Sequence, residues 1–141
     1  MENPRRAVLI AALALAASCA RTVPNHDDRV ITSPPAVKMS ATDLASAFEK
    51  DAPGAKRQYW GHVVEVTDPI ATVNKDNPLQ PYLLFKTPGP VYIEGHLHDD
   101  RAAAILEKVV EGERLTLKCL CEGVQTTSSR TAVVLKSCVK P

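Results

Sequence analysis

The chain has 141 residues, a length that suits one domain with short accessory segments. Aromatic residues make up only 4% of it, so its core must be built mainly from aliphatic side chains. The formal net charge is +1, and removal of the N-terminal segment with Glu2, Arg5 and Arg6 brings it to zero. This balance argues against a general electrostatic attraction to nucleic acid or to anionic lipid.

Residues 1–18 have the form of a signal peptide. A basic start precedes an apolar stretch at 7–17, which is shorter than the roughly 20 residues that span a bilayer as a helix. Small residues then lead to Cys19, and this pattern resembles the lipobox of bacterial lipoproteins, although Ala16 stands where that motif prefers Leu. The resemblance implies that Cys19 is lipidated and anchors an exported protein to a membrane, facing the periplasm. Ala20 favours the outer membrane, and an ordinary signal peptide cleaved near Ala20 is the alternative.

Residues 19–39 contain several prolines and no sustained periodicity. Such a segment is typical of a flexible spacer, so we expect a lipidated flexible tether here. The sequence thus predicts three parts: a signal peptide at 1–18, the tether at 19–39, and a folded domain at 40–141.

A short amphipathic helix is predicted at the start of that domain, over about 41–51. Ser40 and Asp43 have the spacing of a capping box, and Pro53-Gly54 is expected to end the helix. Leu44 and Phe48 share one face, and a single short helix needs a partner surface to cover such a face. We therefore expect this helix to pack on the strands that follow it.

Five stretches of alternating or β-branched residues predict strands, and a helix at 100–110 with Asp99 as N-cap lies between the third and the fourth. The strands are expected at 59–67, 82–86, 91–97, 115–121 and 131–139, and the first of them is interrupted by Asp68-Pro69 and resumes at 70–73. Three strands, a helix and two strands follow the element order of an OB-fold. The predicted fold is therefore mainly β, a five-stranded Greek-key barrel preceded by the N-terminal helix.

Two motifs resemble the tRNA_anti-like family of OB-fold lipoproteins, over about 40–140. They are the Tyr-x-Gly-x-Val-Val-Glu-Val-Thr run at 59–67 and the Val-Val-Leu-Lys-Ser-Cys ending at 133–138. The chain departs from the family pattern at Asp68-Pro69, where Gly is usual, and at Gly95, where the third strand usually has Cys. It also has Cys119 where the family often has Gly. The family name refers to a fold shared with tRNA-binding domains and implies no activity.

Three cysteines lie in the predicted domain, and disulfides persist in an exported protein. The family resemblance favours a Cys121–Cys138 disulfide, and Cys119–Cys138 is the alternative because both cysteines of the pair share a strand face. A zinc site of three cysteines and a histidine is a second alternative, but Cys-x-Cys is tighter than the usual zinc spacing. The chain has no Cys-x-x-Cys that would indicate redox chemistry.

Two other clusters have metal-ligand residue types. His96-x-His98 is followed by two aspartates, but aspartates at 99 and 100 are also expected where a helix begins. His26-Asp27-Asp28 lies in the predicted tether, where such residues are usually solvated. Glu65 and Glu94 could form a carboxylate pair, but nothing in the sequence fixes their separation. We therefore expect no metal and no cofactor.

The candidate ligand surface consists of the rings on the predicted strands, Trp60, Tyr82, Phe85 and Tyr92, with Lys75, Lys86 and Arg130 as neighbouring charges. The chain shows no Ser/His/Asp or Cys/His arrangement, so we expect no enzyme. The main prediction is a binding module for an envelope protein or glycan, across the first three strands and the 74–81 loop. The alternatives are a single-stranded nucleic-acid binder, which export disfavours, and a small-ligand or metal-binding periplasmic protein.

Overall fold

The computed structural model describes residues 26–76 and 80–141, and these residues form four helices and six strands. The helices are α1 (Arg29–Thr32), α2 (Ala41–Lys50), α3 (Ala52–Tyr59) and α4 (Ala102–Lys108). The strands are β1 (Val37–Ser40), β2 (Val63–Asn74), β3 (Tyr82–Phe85), β4 (Val91–Leu97), β5 (Arg114–Thr126) and β6 (Thr131–Val139). The predicted bounds of β4 and β6 are confirmed to the residue.

The strands β2 to β6 form a closed ring. Their order is β2-β3-β4-β6-β5, and β5 pairs with β2 to complete the circle. β4 and β6 are parallel, whereas the other pairs within the ring are antiparallel. The sixth strand, β1, pairs in parallel with residues 64–67 of β2, so the described sheet has one strand more than the five that were predicted.

Residues 26–39 are the described part of the predicted flexible tether, and they are ordered and pack against the ring strands. Val30 of α1 is fully buried against Leu120 and Val139, and the backbone N–H of Asp27 donates to Ser137 Oγ at 2.8 Å. β1 then pairs with residues 64–67 of β2. Four-residue elements carry too little periodicity to be recognised in a sequence, so this part of the 19–39 prediction is wrong. The predicted signal peptide and Cys19 lie outside the described residues.

Alternating side chains of the ring strands fill its interior. The innermost positions of β2 are Val64, Val66 and Ile70, and those of β4 are Val91, Ile93 and Leu97, all of them buried. Leu44 and Phe48 of α2 join the same hydrophobic cluster, as the amphipathic pattern predicted. Burial of aliphatic side chains at about 25 cal/mol per Å² supplies the main stabilising free energy of such a core.

Two helices, α2 and α3, precede β2. Ser40 Oγ accepts from the Asp43 N–H at 2.9 Å, which confirms the predicted N-cap of α2. Asp51 caps α3 in the same way, because its side chain accepts from the Gly54 N–H at 3.0 Å. Pro53 therefore lies in the first turn of a second helix, where its missing N–H leaves no hydrogen bond unmade. It does not end the helical part of the chain, although the sequence predicts that it does. As a result Tyr59 ends α3, and the predicted strand start at Tyr59 is wrong by four residues.

β2 runs without a break through Asp68-Pro69. The Asp68 side chain is nearly buried, and its Oδ2 accepts from both the N–H and the Oγ1 of Thr42, each at 2.9 Å. Thr42 lies in the first turn of α2, so a carboxylate of the ring stabilises the amide end of the helix. Pro69 lacks an N–H, but its carbonyl still accepts from Lys86 at 2.8 Å.

The helix between β4 and β5 begins later than predicted. α4 starts at Ala102, and the N–H groups of Arg101 and Ala102 both donate to the His98 carbonyl at 2.9 Å. Arg101 is the N-cap residue and makes no capping hydrogen bond with its side chain. The prediction of Asp99 as N-cap is therefore wrong, because the backbone turn at His98 sets the start.

The disulfide joins Cys119 to Cys138, with their Cα atoms 4.2 Å apart, so the predicted Cys121–Cys138 pairing is wrong. β5 and β6 are antiparallel neighbours, and Lys118 lies opposite Val139 while Leu120 lies opposite Lys136. Ser137 and Cys138 of β6 therefore both lie opposite the single residue Cys119, which is the geometry of a β-bulge. Ser137 has a positive φ of 53°. This bulge brings Cys138 across from Cys119.

Cys121 remains a free, fully buried thiol in the described structure, opposite Leu135. Burial raises the pKa of the Cys121 thiol to about 11. The backbone N–H of Gly123 hydrogen-bonds to the sulfur and opposes that rise in part. A buried thiol with a raised pKa is a poor nucleophile and behaves as a small apolar side chain.

Candidate functional site

The outer face of β3 and β4 carries a connected set of polar and aromatic side chains. Residues of β4 alternate, and a Cβ placed on Gly95 would meet Cys138 Sγ at 3.5 Å inside the ring. The neighbours Glu94 and His96 must therefore point outward. Across the β3–β4 pair, Tyr82 lies opposite His96, which places the two rings on the same face.

One end of this face is held by a hydrogen bond and a ring contact. The Asn74 side-chain amide donates to the Tyr82 hydroxyl at 2.8 Å. The Tyr82 ring lies over the His96 ring with a centroid separation of 5.2 Å. These contacts fix the Tyr82 ring, so it loses little further rotamer entropy when a ligand stacks on it.

The other end is built around the carboxylate of Glu94. Arg130 donates to Glu94 Oε1 at 3.2 Å, and His96 Nε2 lies 3.7 Å from Oε2. The Arg130 guanidinium lies 5.7 Å from the Tyr92 ring centroid, within cation–π range. The side chain of Glu94 is only 8% exposed, whereas Tyr92 remains 39% exposed.

These contacts join six residues into one surface, which we call the polar–aromatic strip. In spatial order it comprises Asn74, Tyr82, His96, Glu94, Arg130 and Tyr92. The strip presents ring faces, an amide, an imidazole and a guanidinium side by side, and the nearly buried Glu94 carboxylate lies beneath them. Its fixed charges, Glu94 and Arg130, balance each other.

Burial lowers the pKa of the His96 imidazole below its ordinary value, because it disfavours the protonated ring. The Glu94 carboxylate opposes this effect, and Lys136 and Glu122 act in opposite directions with smaller weight. Lys136 and Glu122 form their own ion pair at 3.0 Å. Burial thus favours the neutral imidazole, in which one ring nitrogen donates a hydrogen bond and the other accepts one according to the tautomer.

The structure brings together some of the predicted surface residues and separates others. Tyr82 and Tyr92 both belong to the polar–aromatic strip. Phe85 is only 1% exposed and lies in the core, so its prediction as a surface ring is wrong. Phe85 alternates with the outward residues of β3, and that parity places its ring inside.

Trp60 lies beside the strip rather than in it. It is 57% exposed, and the Lys56 ammonium lies 5.1 Å from its ring centroid. A Cβ on Gly123 would meet the Trp60 ring at 3.9 Å, so the ring covers β5 where a glycine leaves room. Val134 lies opposite both Gly123 and Glu94, which puts Trp60 about two strand spacings, or roughly 10 Å, from the strip.

Sequence reasoning missed the role of three strip residues. Asn74 was assigned only to a loop boundary, and Arg130 was noted only as one of several charges. The sequence suggests Glu94 as a partner of Glu65, but the Glu65 carboxylate lies 3.9 Å from the Lys38 ammonium, whereas Glu94 pairs with Arg130. The alternation of 91–97 carries the signal that groups Tyr92, Glu94 and His96 on one face.

Two histidine clusters that the sequence separates meet in space. His98 is fully buried with Nε2 3.2 Å from Asp28 Oδ1, and the His26 ring lies 6.3 Å from the His98 ring. His26 Nδ1 lies 3.8 Å from Asp99 Oδ2. Among the described residues no three such side chains are placed to hold a metal ion. These contacts instead hold the segment before α1 against the residues that follow β4.

Within the two described ranges, no helix combines the length and the apolar character needed to cross a membrane.

Comparison with known proteins gives a family and a similar fold. The sequence profile of the tRNA_anti-like family matches residues 6–139. The crystal structure of a protein from Klebsiella pneumoniae, described as a putative nucleic acid-binding lipoprotein, has a TM-score of 0.55 at 16% identity, over 81% of this chain and 98% of that one. A putative aspartyl-tRNA synthetase from Leishmania major has a TM-score of 0.47 at 9% identity, over 73% of this chain and 20% of that one. No curated protein matches the sequence.

Proposed function

Because the chain belongs to the tRNA_anti-like family, we propose that it is a non-enzymatic, lipid-anchored OB-fold module of the cell envelope that binds a glycan or protein partner through the polar–aromatic strip. The ring order β2-β3-β4-β6-β5 and its closure by β2 and β5 support an OB-fold with β1 added. OB-folds bind oligonucleotides and oligosaccharides on the face of their second and third strands, between two flanking loops.

The proposal depends mainly on where the strip lies in the fold. Its β3 and β4 residues occupy the second and third strands of the ring. Asn74 lies where the chain enters the first flanking loop, and Arg130 lies in the turn between β5 and β6. This position corresponds to the face on which OB-folds bind their ligands, which supports the proposal, and the side chains of the strip are already held in place by one another.

The chemistry of the strip suits a ligand rich in hydroxyl groups better than a polyanion. Tyr82 and Tyr92 offer ring faces for stacking, and the Asn74 amide and the Arg130 guanidinium can bind hydroxyl groups. A single-stranded nucleic acid requires a surplus of positive charge along its path. Here the charge of Arg130 is offset by Glu94 at 3.2 Å. We therefore propose an envelope glycan as the leading ligand class, with a protein segment next.

NMR shift mapping tests the ligand class. The probes are chitotetraose, a neutral amino-sugar oligomer, and the oligonucleotide dT12, each added to the isotope-labelled protein. We expect chitotetraose to shift the amide signals of Tyr82, Tyr92 and Glu94, and Tyr92→Ala to weaken binding at least tenfold. Val110→Ala is the matched control, because Val110 is exposed at a position outside the strip. Binding that is unchanged in Tyr92→Ala would contradict the assignment of the strip.

Single-stranded nucleic acid is the second candidate, and the cation–π pair of Arg130 and Tyr92 is the feature that favours it. The name of the Klebsiella protein points the same way for that protein. Binding of dT12 that weakens steeply between 50 and 200 mM salt, about as the counterion-release relation predicts, would support this candidate. A lack of response to both probes would leave a protein segment as the ligand class to pursue.

The proposed anchor rests on the lipobox-like sequence before Cys19, and the Klebsiella protein of similar fold is also named a lipoprotein. Acyl chains contribute about 0.8 kcal/mol of membrane binding for each buried CH₂ group. We expect Cys19→Ser to move the protein from the membrane to the soluble fraction and to abolish labelling by a fatty-acid analogue. Cys121→Ala is the matched cysteine control and should change neither. Membrane fractionation that survives Cys19→Ser would contradict the anchor.

A further inference from the structure

An open groove lies between α1, α4 and the end of β6, away from the polar–aromatic strip. Its volume is about 370 Å³, which is within the range of sites that hold small organic ligands. We call it the basic groove, and it is lined by the cations Arg101, Lys108, Lys118 and Lys140 over the apolar side chains of Val30, Ile105 and Val139. None of these residues belongs to the strip.

Four cationic side chains line the groove, and no acidic side chain does. In the described ranges, Arg101, Lys108 and Lys140 have no carboxylate within ion-pair distance. Lys118 donates to the backbone carbonyl of Ser33 at 3.1 Å, and it has no carboxylate within ion-pair distance among the described residues, although Glu65 lies opposite it in the β2–β5 pair. The chain as a whole is almost neutral, so this concentration of one sign is local. A concave surface whose charged side chains are all cationic attracts anions from solution.

The groove also has an apolar floor and wall. Val30, Ile105 and Val139 lie beneath the cations with little exposed area, whereas Ile31 is 42% exposed at the wall. A free inorganic anion would leave this apolar surface in contact with water. An amphiphile with an anionic head would cover it, since its head can contact the cations while its glycerol and first methylene groups contact the aliphatic side chains.

The groove lies close to the start of the described chain. α1 forms one wall, and His26 follows Cys19 by only seven residues. A fully extended chain covers at most about 3.6 Å per residue, so seven residues span no more than about 25 Å. If Cys19 carries the proposed anchor, α1 is held near the membrane surface, and this step of the argument rests on the proposed function.

We propose that the basic groove binds the head group of an anionic phospholipid of the membrane to which the protein is anchored. The Arg101 guanidinium would bind phosphate oxygens in its planar fork, and the ammonium groups of Lys108 and Lys140 would contact the same phosphate as point charges. Binding of this head group orients the domain with α1 and α4 toward the bilayer. The polar–aromatic strip then remains free for its own ligand.

Lysine acetylation rates in the purified full-length protein test the proposal. The probes are dihexanoylphosphatidylglycerol, which is anionic, and dihexanoylphosphatidylcholine, which has no net charge, both as soluble monomers. We expect the anionic lipid to slow acetylation of Lys108 and Lys140 at least fivefold and the neutral lipid to slow it less than twofold. Lys50 and Lys86, which are exposed outside the groove, should react at unchanged rates with either lipid.

Arg101→Ala should remove most of the protection of Lys108 and Lys140, whereas Arg57→Ala, at an exposed position of α3, should leave it intact. Equal protection by both lipids, or equal protection by inorganic phosphate alone, would overturn the proposal. Protection that appears without lipid and grows with protein concentration would also overturn it and would identify a second copy of the chain as the occupant. The soluble lipids need no anchor, so failure here is distinct from failure of the Cys19 experiment.

Discussion

Cys119 of β5 is bonded to Cys138 of β6 across an antiparallel pair, with their Cα atoms 4.2 Å apart. Closure of a loop with a sequence separation of 19 stabilises the fold by about 3 kcal/mol on the chain-entropy estimate. We therefore expect Cys119→Ala to lower the free energy of unfolding by about that amount, measured by urea denaturation. Cys121→Ala should cost only about 1 kcal/mol, because it removes one buried sulfur and no covalent bond.

Alkylation of the denatured, unreduced protein provides the control for this pairing. The peptide spanning 119–130 contains both Cys119 and Cys121, and fragment spectra can locate the label within it. Label on Cys121 is expected. Label on Cys119 instead, together with a larger loss of stability in Cys121→Ala, would contradict the observed pairing.

Gly95 offers a second position from which Cys138 can be reached. A Cβ built on Gly95 lies 3.5 Å from Cys138 Sγ, a separation that a small backbone adjustment can convert into a disulfide. We expect the double variant Gly95→Cys with Cys119→Gly to form a bond between the introduced cysteine and Cys138. Peptide mapping should detect this bond, and urea denaturation should show a smaller stability loss than in Cys119→Gly alone. Two free thiols at positions 95 and 138 in the folded variant would show that the geometry is unsuitable.

The sequence predicted the ring strands well and the contacts between them poorly. Alternation located β4 and β6 to the residue, because Val91, Ile93 and Leu97 must all enter the core. The pairing of Cys138, however, depends on a bulge at Ser137 that shifts the β5–β6 register, and a bulge leaves no clear mark on alternation. A cysteine pair on one strand face therefore left the two pairings open, and the resemblance to the family selected the wrong one.

The candidate site was predictable only where it follows a strand. Tyr92, Glu94 and His96 share a face by parity, so their grouping could be read from the residues. Arg130 reaches Glu94 from a turn 36 residues away, and Asn74 reaches Tyr82 across a loop. Contacts between distant segments depend on register and on loop conformation, and neither is encoded in the local pattern.

The Cys121 thiol makes the stability depend on pH in the alkaline range. Burial raises its pKa from 9.0 to about 11, so the unfolded chain loses this proton at a lower pH than the folded chain. The stabilisation that comes from the buried, protonated thiol is fully present below pH 9. It falls by about 1.4 kcal/mol per pH unit as the pH rises toward 11. The advantage of wild type over Cys121→Ala in unfolding free energy, measured from pH 8 to 11, should therefore fall along this slope, vanish at about pH 10 and reverse in sign above it. A constant difference would contradict burial of the thiol.

Asp68 stabilises the first turn of α2 from the neighbouring strand. Its Oδ2 accepts two hydrogen bonds from Thr42, and Arg114 lies 3.7 Å from Oδ1. Asp68→Ala leaves the Thr42 N–H and hydroxyl without this acceptor, and we expect a loss of about 2 kcal/mol in the free energy of unfolding. Arg114→Ala should cost less than about 0.5 kcal/mol, because that side chain is 65% exposed. Equal losses in the two variants would mean that the ion pair, and not the helix contact, is the stabilising interaction.

His96 reports on the electrostatics of the polar–aromatic strip. Burial lowers its pKa, and the Glu94 carboxylate raises it in part, so the NMR titration midpoint of the imidazole should lie below its ordinary value of 6.5. Glu94→Gln removes the opposing charge and should lower the midpoint further, whereas Lys136→Met should raise it.

Because the folded pKa of His96 is depressed, this residue contributes stability above pH 6.5 that is lost as the pH falls through the folded pKa. His96→Gln should abolish that part of the pH dependence, and a midpoint above 6.5 in the wild-type protein would show that the pair with Glu94 outweighs burial.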